Sequence, residues 1–558
     1  MLRREPEVTR NEAIAALRRV AENGRLNVTV FGWRGVFRAV AATCLVALSS
    51  CSHQSDHVAG ELHRSIGGEP GSLDPQRAGD TFSFEVLRDL FEGLTSESPT
   101  GETIPGAAES WTVSDSGLTY RFHLRADLRW SNGDPLTSGD FVRGFRRAVD
   151  PSTRGPSAGL LSVIQGSDDI GGGRLPVTEL AVRAPDDATL EIDLRVPAPY
   201  FAAILSNSVA YPAHAAPGTG MTDGKSPLIS NGAYRLVDWT PGAAIVLERN
   251  PFYWDAPNVA IRRVTYVALA DSNAELTRYR AGQIDMTSLA PAQLLDSLRK
   301  ERPGELQIRS QLAVVYYAFN LTDGPLARAS GVREALTLAI DREQLVSAVL
   351  RGGQEPAYRL VPPGVSGYEG APYAWRSDAP SARLERARSL LRKAGFSAAH
   401  PLRLRLLCPE DDTLRKVALA VTAMWHEALG VETEPTFLEY RAFLAARAAR
   451  GAWDVLSHGW NADYPDPGNF LGIFTSGSPQ NDARLADAAF DGLMARAGAE
   501  AGGAERLALL ASAENRLLDD YAMAPIYYAV SRRLVSPRIQ GAILSPMDHN
   551  YSKYLSIR

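Results

Sequence analysis

Apolar positions along the chain recur with two periods. At helical spacing they occupy residues 84–91, 331–350, 381–395 and 412–429, and Gly395 and Gly430 close the last two. A glycine just past the last periodic residue marks a helix end, because it enters the left-handed region without a Cβ clash. In alternation, or as short apolar runs, they occupy 62–66, 120–125, 402–407 and 453–456, which are strand lengths. Asn132-Gly133 reads as a tight hairpin turn, and Thr137 or Ser138 as the cap of a helix starting near Asp140. Strands alternating with helices predict sheets covered by helices, an α/β chain. There is no internal repeat, and the compositional bias is confined to an Ala/Gly-rich surface stretch near 497–504.

One stretch combines a turn signal with chemistry: Gly459-Trp460-Asn461-Ala462-Asp463-Tyr464-Pro465-Asp466-Pro467-Gly468-Asn469-Phe470. It follows the run 453–456, and its prolines and glycines predict a loop where that strand leaves its sheet, the place where α/β domains hold ligands. An indole beside a carboxylate suits a cation with an apolar neck, such as a peptide's terminal ammonium. The plainer alternative makes Trp460 a core anchor and Asp463 a turn former.

At 558 residues and 45% hydrophobic content the chain can bury large cores and form more than one domain. A net charge of −5 gives no general cationic face, which argues against a nucleic-acid partner. The first fifty residues carry eight Arg and four Glu and end in an apolar run, 39–48, before Ser49-Ser50-Cys51. That run is too short to span a bilayer but fits a signal-peptide core. Leu48-Ser49-Ser50-Cys51 resembles the lipobox of bacterial lipoproteins, which implies that residues 1–50 are a signal peptide, that Cys51 is lipidated, and that 51–60 form a polar tether. A helix with a chance cysteine is the alternative. Removing 1–50 leaves a chain of net charge −9. Cys408 is then the one cysteine besides Cys51, so no structural disulfide is expected.

Gly-x-Ser-x-Gly, His-Glu-x-x-His and a P-loop are all missing. Ser297-Leu298-Arg299-Lys300 fits Ser-x-x-Lys but lacks the companion motifs. The nine histidines are scattered without metal-ligand spacing, so neither metal nor cofactor is expected; His458 is a candidate only through its position beside the central loop.

An ordered series of short motifs runs along the rest of the chain. It contains Ser72-Leu73-Asp74-Pro75, Asp89-Leu90-Phe91-Glu92-Gly93-Leu94, Ala108-Glu109-Ser110-Trp111, Trp130-Ser131-Asn132-Gly133-Asp134-Pro135-Leu136-Thr137, Asn231-Gly232-Ala233-Tyr234, Arg249-Asn250-Pro251-Phe252-Tyr253-Trp254, Tyr279-Arg280-Ala281-Gly282-Gln283-Ile284-Asp285-Met286, Val332-Arg333-Glu334-Ala335-Leu336 and Pro525-Ile526-Tyr527-Tyr528. The series resembles the oligopeptide-binding proteins of bacterial ABC importers, within the peptide/nickel solute-binding family. The resemblance implies a two-lobed, hinged periplasmic-binding-protein fold with an extra inserted domain. Carried onto this chain, lobe I comprises 61–82, 210–312 and 531–558, the inserted domain 83–209, and lobe II 313–530, with hinge crossings near 311–319 and 529–533. It also implies that Asp463 pairs with a peptide's α-ammonium, with Trp460 and Gly459 as wall and close approach, and Glu69, Gly71, Tyr527 and Tyr528 completing the clamp.

The chain departs from that family in four places. A cysteine bridge found in many members has Asn461 and, approximately, Ala313 in its places, both partners being absent together. A common arginine is replaced by Ser457, a Tyr-Asn pair by Ser288-Leu289, and Arg143 stands where an aromatic is common; these three bear on ligand length and on recognition of a peptide's C-terminus. Arg447 or Arg143 is the candidate replacement for the lost cation. The expected function is a monomeric, lipid-anchored extracytoplasmic protein that captures short peptides and delivers them to an ABC permease and its ATPase. Relatives of this fold bind murein peptides, nickel chelates or haem, and the sequence leaves these open; a secreted hydrolase is the reading from a different class.

Overall fold

The structure, a computed structural model, describes residues 60–215, 228–449 and 453–558. Cys51 and the leader lie outside the described residues. Strand β1 (Glu61–Ile66) precedes helix α1 (Thr81–Leu90), whose N-cap Asp80 accepts a hydrogen bond from the Ser83 amide. Strands β2 (Ala108–Val113), β3 (Thr119–Leu124), β4 (Val182–Asp186) and β5 (Thr189–Asp193) form an antiparallel sheet ordered β2-β3-β5-β4. In β3 the alternation is direct: Tyr120, Phe122 and Leu124 are buried while Arg121 and His123 face out. Helix α2 (Ser138–Val149) covers this sheet and is capped at Thr137, whose amide donates to Asp140 Oδ2 at 2.9 Å.

Strands β6 (Tyr234–Thr240), β7 (Ala244–Arg249) and β8 (Arg263–Ala268) return to β1, which joins the edge of the sheet parallel to β8, in the order β1-β8-β7-β6. A single apolar core serves both four-stranded sheets, running from Leu62 and Ile66 through Phe122 and Phe141 to Val264 and Tyr266.

The third sheet has six strands. They are β9 (Leu306–Phe319), β10 (Glu355–Pro356), β11 (Arg403–Pro409), β12 (Glu432–Leu438), β13 (Val455–Asn461) and β14 (Met523–Leu534), ordered β10-β14-β9-β13-β11-β12. Helices α3 (Ser330–Leu338), α4 (Pro380–Lys393), α5 (Asp412–Leu429), α6 (Pro467–Leu471) and α7 (Gly503–Asp520) accompany it. α5 follows its sequence signals closely: Asp411 accepts from the Thr413 and Leu414 amides, and Gly430 ends the helix at φ 70°. Its Val417, Ala418, Val421 and Trp425 face the core, where truncating the fully buried Trp425 to alanine would cost on the order of 3–5 kcal/mol.

Two expectations are corrected here. The periodic stretch 331–350 is not one helix. α3 stops at Leu338, Asp341 caps a new turn by accepting from the Gln344 amide, and a π-helical turn, Leu345–Leu350, follows. The cause is Arg342, fully buried, which donates to the Thr337 and Ile340 carbonyls at 3.2 Å and to Pro525 O at 2.7 Å. Those carbonyls would otherwise be unsatisfied at a helix end. The strand read at 453–456 also runs further, to Asn461, because β9 pairs with it throughout. Gly459 and Trp460 therefore stand on a strand rather than in a loop.

β9 and β14 pair along most of their length, but the register shifts between Ser310 and Val314. On one side of that irregularity Leu306, Ile308 and Leu534 pack with Leu276, Tyr279 and Leu298. On the other, Val314 to Phe319 belong to the core of the six-stranded sheet. Two strands thus serve two separate cores.

Candidate functional site

A cavity of about 590 Å³ opens at this irregularity. Gln311, Leu312 and Ala313 of β9 line one side, with Asn461, Ala462 and Asp463 at the end of β13. Phe82, Phe84, Glu85 and Arg88 of α1, the segment Leu269-Ala270, Glu275, Ser288-Leu289, Arg533 and Pro546 to His549 are among the residues of the remaining wall.

Asp463 is held by a compact local network. Asn469, on α6, accepts from Trp460 Nε1 at 2.9 Å and from the Asp463 amide at 3.1 Å, while its own Nδ2 donates to Asp463 Oδ2 at 3.3 Å. α6 is fixed in turn by Asp466, which accepts from the Gly468 amide and forms a two-pronged ion pair with Arg506, both contacts 2.8 Å. The Asp463 side chain is open to solvent, yet enough protein surrounds it that desolvation pushes its carboxyl above the ordinary aspartate range, against the opposing bond from Asn469. No cation lies within ion-pair distance of it among the described residues.

The other lining carboxylates are engaged. Glu85 accepts from Arg64 and Arg533, and Arg533 also reaches Asp548 at 3.2 Å. Glu275, 1% exposed, accepts from the Ser288 and Leu289 amides at 2.8 and 3.1 Å and from the Ser288 hydroxyl, so it fixes the segment that presents Leu289, 40% exposed, to the cavity. His549 Nδ1 lies 2.7 Å from Glu97 Oε2. Burial pushes the Glu97 carboxyl up, but His549, Arg88 and Ser206 outweigh it and the net displacement is downwards.

The remaining residues singled out from sequence lie elsewhere and are not lining residues of this cavity. Glu69 accepts from Trp239 Nε1 at 2.7 Å and the Gly242 amide at 3.2 Å, and the Gly71 amide donates to Asp80 Oδ2. Tyr527 and Tyr528 are each 5% exposed on β14, and the Tyr528 hydroxyl donates to Arg359 O at 2.9 Å. Arg447 pairs with Asp482 and donates to Gln480 Oε1, so its charge is already neutralised; His458 faces the same Asp482 at 2.8 Å. Arg143 is held by Asp140 and Ala213 O. Gly459 pairs with Val315, and a Cβ there would make only ordinary contacts, 3.4 Å from Val314 O, so the protein itself does not require a glycine.

Sequence reasoning passed over Asn469, Glu275, Glu85 and Arg88. Phe84, Glu85 and Arg88 sit at i, i+1 and i+4 of α1 while Val86, Leu87 and Leu90 are buried, so the polar face of that helix was the available signal.

With this geometry in view, comparison with known proteins is informative. The family described as bacterial extracellular solute-binding proteins, family 5 Middle, matches residues 102–482. The chain is 38% identical to the periplasmic oligopeptide-binding protein OppA of Escherichia coli K12 over 504 residues, 89% of this chain and 92% of that protein. It is 37% identical to the probable deoxycholate-binding periplasmic protein YgiS of the same organism, over 88% of this chain and 92% of the relative. Among solved structures, Haemophilus influenzae OppA in complex with RPPGFSPFR superposes with a TM-score of 0.76 at 33% identity, covering 89% of this chain and 99% of that one. The chain therefore belongs to family 5 of the bacterial extracellular solute-binding proteins and has their two-lobed periplasmic-binding-protein fold.

Proposed function

We propose that this protein captures short peptides in the cavity at the β9 irregularity and delivers them to an ABC permease, while anchored outside the cytoplasm through a lipidated Cys51. The observation that carries the ligand class is Asp463: a carboxylate on the cavity wall, open to solvent yet partly desolvated by the protein around it, with Asn469 but no cation beside it among the described residues. Such a group is completed by an ammonium brought by the ligand. OppA relatives, named for oligopeptides and solved with one, support the same class. Trp460, held by Asn469 beside Asp463, and Gly459 continue the site beyond the cavity, along the part of β13 that β11 leaves unpaired, where a peptide backbone can lie. The hinge lies where β9 and β14 leave one core for the other, and the lobes divide near the boundaries 312/313 and 530/531. The protein performs no reaction in this reading.

For the anchor, no helix among the described residues is long and apolar enough to cross a membrane. Cys51→Ser is expected to release the protein from the membrane fraction; unchanged association would refute the lipid anchor.

The ligand class is tested by calorimetry of the purified full chain with tri- to pentapeptides, with deoxycholate as a parallel arm and chromatography for cleavage products. Saturable peptide binding without cleavage is expected. Deoxycholate binding with no peptide binding at millimolar concentration would overturn the peptide reading, and cleavage would overturn the binder.

A further inference from the structure

The cavity has a side recess of about 10 Å³, roughly the size of one water. Phe84, Arg88, Asn207, Tyr211, Asp463 and His549 are among the residues that line it. Two of these carry charge without an ion-pair partner among the described residues: Asp463 and Arg88. The Arg88 side chain, half-buried in the last turn of α1, makes no hydrogen bond, ion pair or ring contact among the described residues, and its charge acts only at longer range, on Glu97 and Tyr211 among others. The acid that shares this recess, Glu97, is already satisfied by His549 at 2.7 Å and by the Ser206 hydroxyl at 3.1 Å. The other cavity-lining guanidinium, Arg533, is taken by Glu85 and Asp548.

From this juxtaposition we infer that Arg88 and Asp463 form one subsite for a zwitterionic ligand residue, Asp463 receiving its ammonium and Arg88 a carboxylate on the same residue. The inference rests on the peptide-binding reading and adds a preference to it. Both side chains also line the larger cavity, so a ligand residue seated there can present its ammonium to one and a carboxylate to the other. A guanidinium presents two parallel N–H groups to a carboxylate, which makes it a reader of that group rather than of polarity in general. The carboxylate has two chemical sources: the side chain of an N-terminal Asp or Glu in a peptide, or the α-carboxylate of a free amino acid.

The test is calorimetry of the full chain with Glu-Ala-Ala, Gln-Ala-Ala and free glutamine, on wild type, Arg88→Met and Arg88→Lys. The first source predicts that wild type binds Glu-Ala-Ala about tenfold tighter than Gln-Ala-Ala, that the ratio falls to about one in Arg88→Met, and that Arg88→Lys keeps part of it. The second predicts binding of free glutamine that Arg88→Met abolishes, with equal wild-type affinities for the two tripeptides. Equal wild-type affinities for the two tripeptides, with no glutamine binding, would overturn the inference while leaving the peptide reading standing; this is also the result if lobe closure pairs Arg88 with Asp463 directly. A ratio unchanged by Arg88→Met would overturn it too. Failure of all three ligands would overturn both. The wild-type ratio needs no substitution, so a misfolded variant does not silence the test.

Discussion

Ala313 and Asn461 stand directly opposite each other on the antiparallel strands β9 and β13, and both line the cavity. The Ala462 amide donates to Leu312 O at 2.8 Å, which makes 313/461 a non-hydrogen-bonded pair, the kind whose Cα atoms approach to about 4.5 Å. The family resemblance puts a cysteine bridge of many members at Asn461 and, approximately, Ala313. The double substitution Ala313→Cys/Asn461→Cys should therefore form a disulfide without backbone movement. The bond joins positions 148 residues apart, and oxidised protein should gain about 2–4 kcal/mol over its reduced form. Thiol titration with denaturation under both redox conditions checks this; free thiols after oxidation would contradict the register.

Asp463→Asn keeps the shape of the site but removes the charge. Affinity for peptides with a free amino terminus should fall by about 1–3 kcal/mol, between the values for an exposed and a desolvated pair, because the side chain is open to solvent in this conformation. N-acetylation of the peptide should cost wild type a similar amount. Combining the two should cost less than their sum, since both remove one interaction. Strict additivity by calorimetry would place the amino terminus elsewhere.

The raised Asp463 carboxyl also sets a pH dependence. In the free protein it holds its proton to a pH above the ordinary aspartate value of 3.8, and a bound ammonium stabilises only the ionised form. Binding must therefore release that proton in acid. Affinity should be flat near neutrality and decline as pH falls through the raised value, and the decline should be absent in Asp463→Asn. Calorimetry in buffers of different ionisation enthalpy measures the released proton.

Arg506 and Asp466 are 6% and 12% exposed at their side chains and hold the helix that carries Asn469. Arg506→Met removes one partner and leaves a largely buried carboxylate, at a cost of about 3 kcal/mol. A lower midpoint in urea unfolding checks the first effect. A weaker peptide affinity is expected alongside it, because Asn469 positions Asp463. Unchanged stability would mean that water replaces the guanidinium.

Tyr200 stacks on Tyr464 with ring centroids 4.4 Å apart and an interplanar angle of 8°. Tyr464 follows Asp463 directly, so this contact ties the region around 200 to the site loop. Such a pair contributes about 0.5–1.5 kcal/mol. Tyr200→Ala should shift ligand-free protein toward a larger radius of gyration in small-angle scattering, with peptide restoring compaction. An identical profile for both proteins would show that the stack does not bias opening.

Local signals were enough where the partners of a segment lie close in the chain. Asp411 and Gly430 bound α5 through groups within a few residues, and the alternation in β3 follows from one buried face. The ordered motifs likewise pointed to the family and so to the fold. Sequence also placed Asp463 at the end of a strand, because proline and glycine restrict the backbone on their own. What it could not contain was the origin of distant partners. The 331–350 pattern is helical in period, and it breaks because Arg342 is drawn to a carbonyl of Pro525, 183 residues away. β13 extends through Trp460 because β9 supplies its hydrogen bonds. Arg447 looked like a free cation until the fold set Asp482 against it, and Arg88 lay unremarked beside a familiar motif until the fold placed it on the same recess as Asp463. A charge is free or neutralised according to what stands within a few ångströms, and with most partners far away in the chain, only the tertiary structure decides which it is.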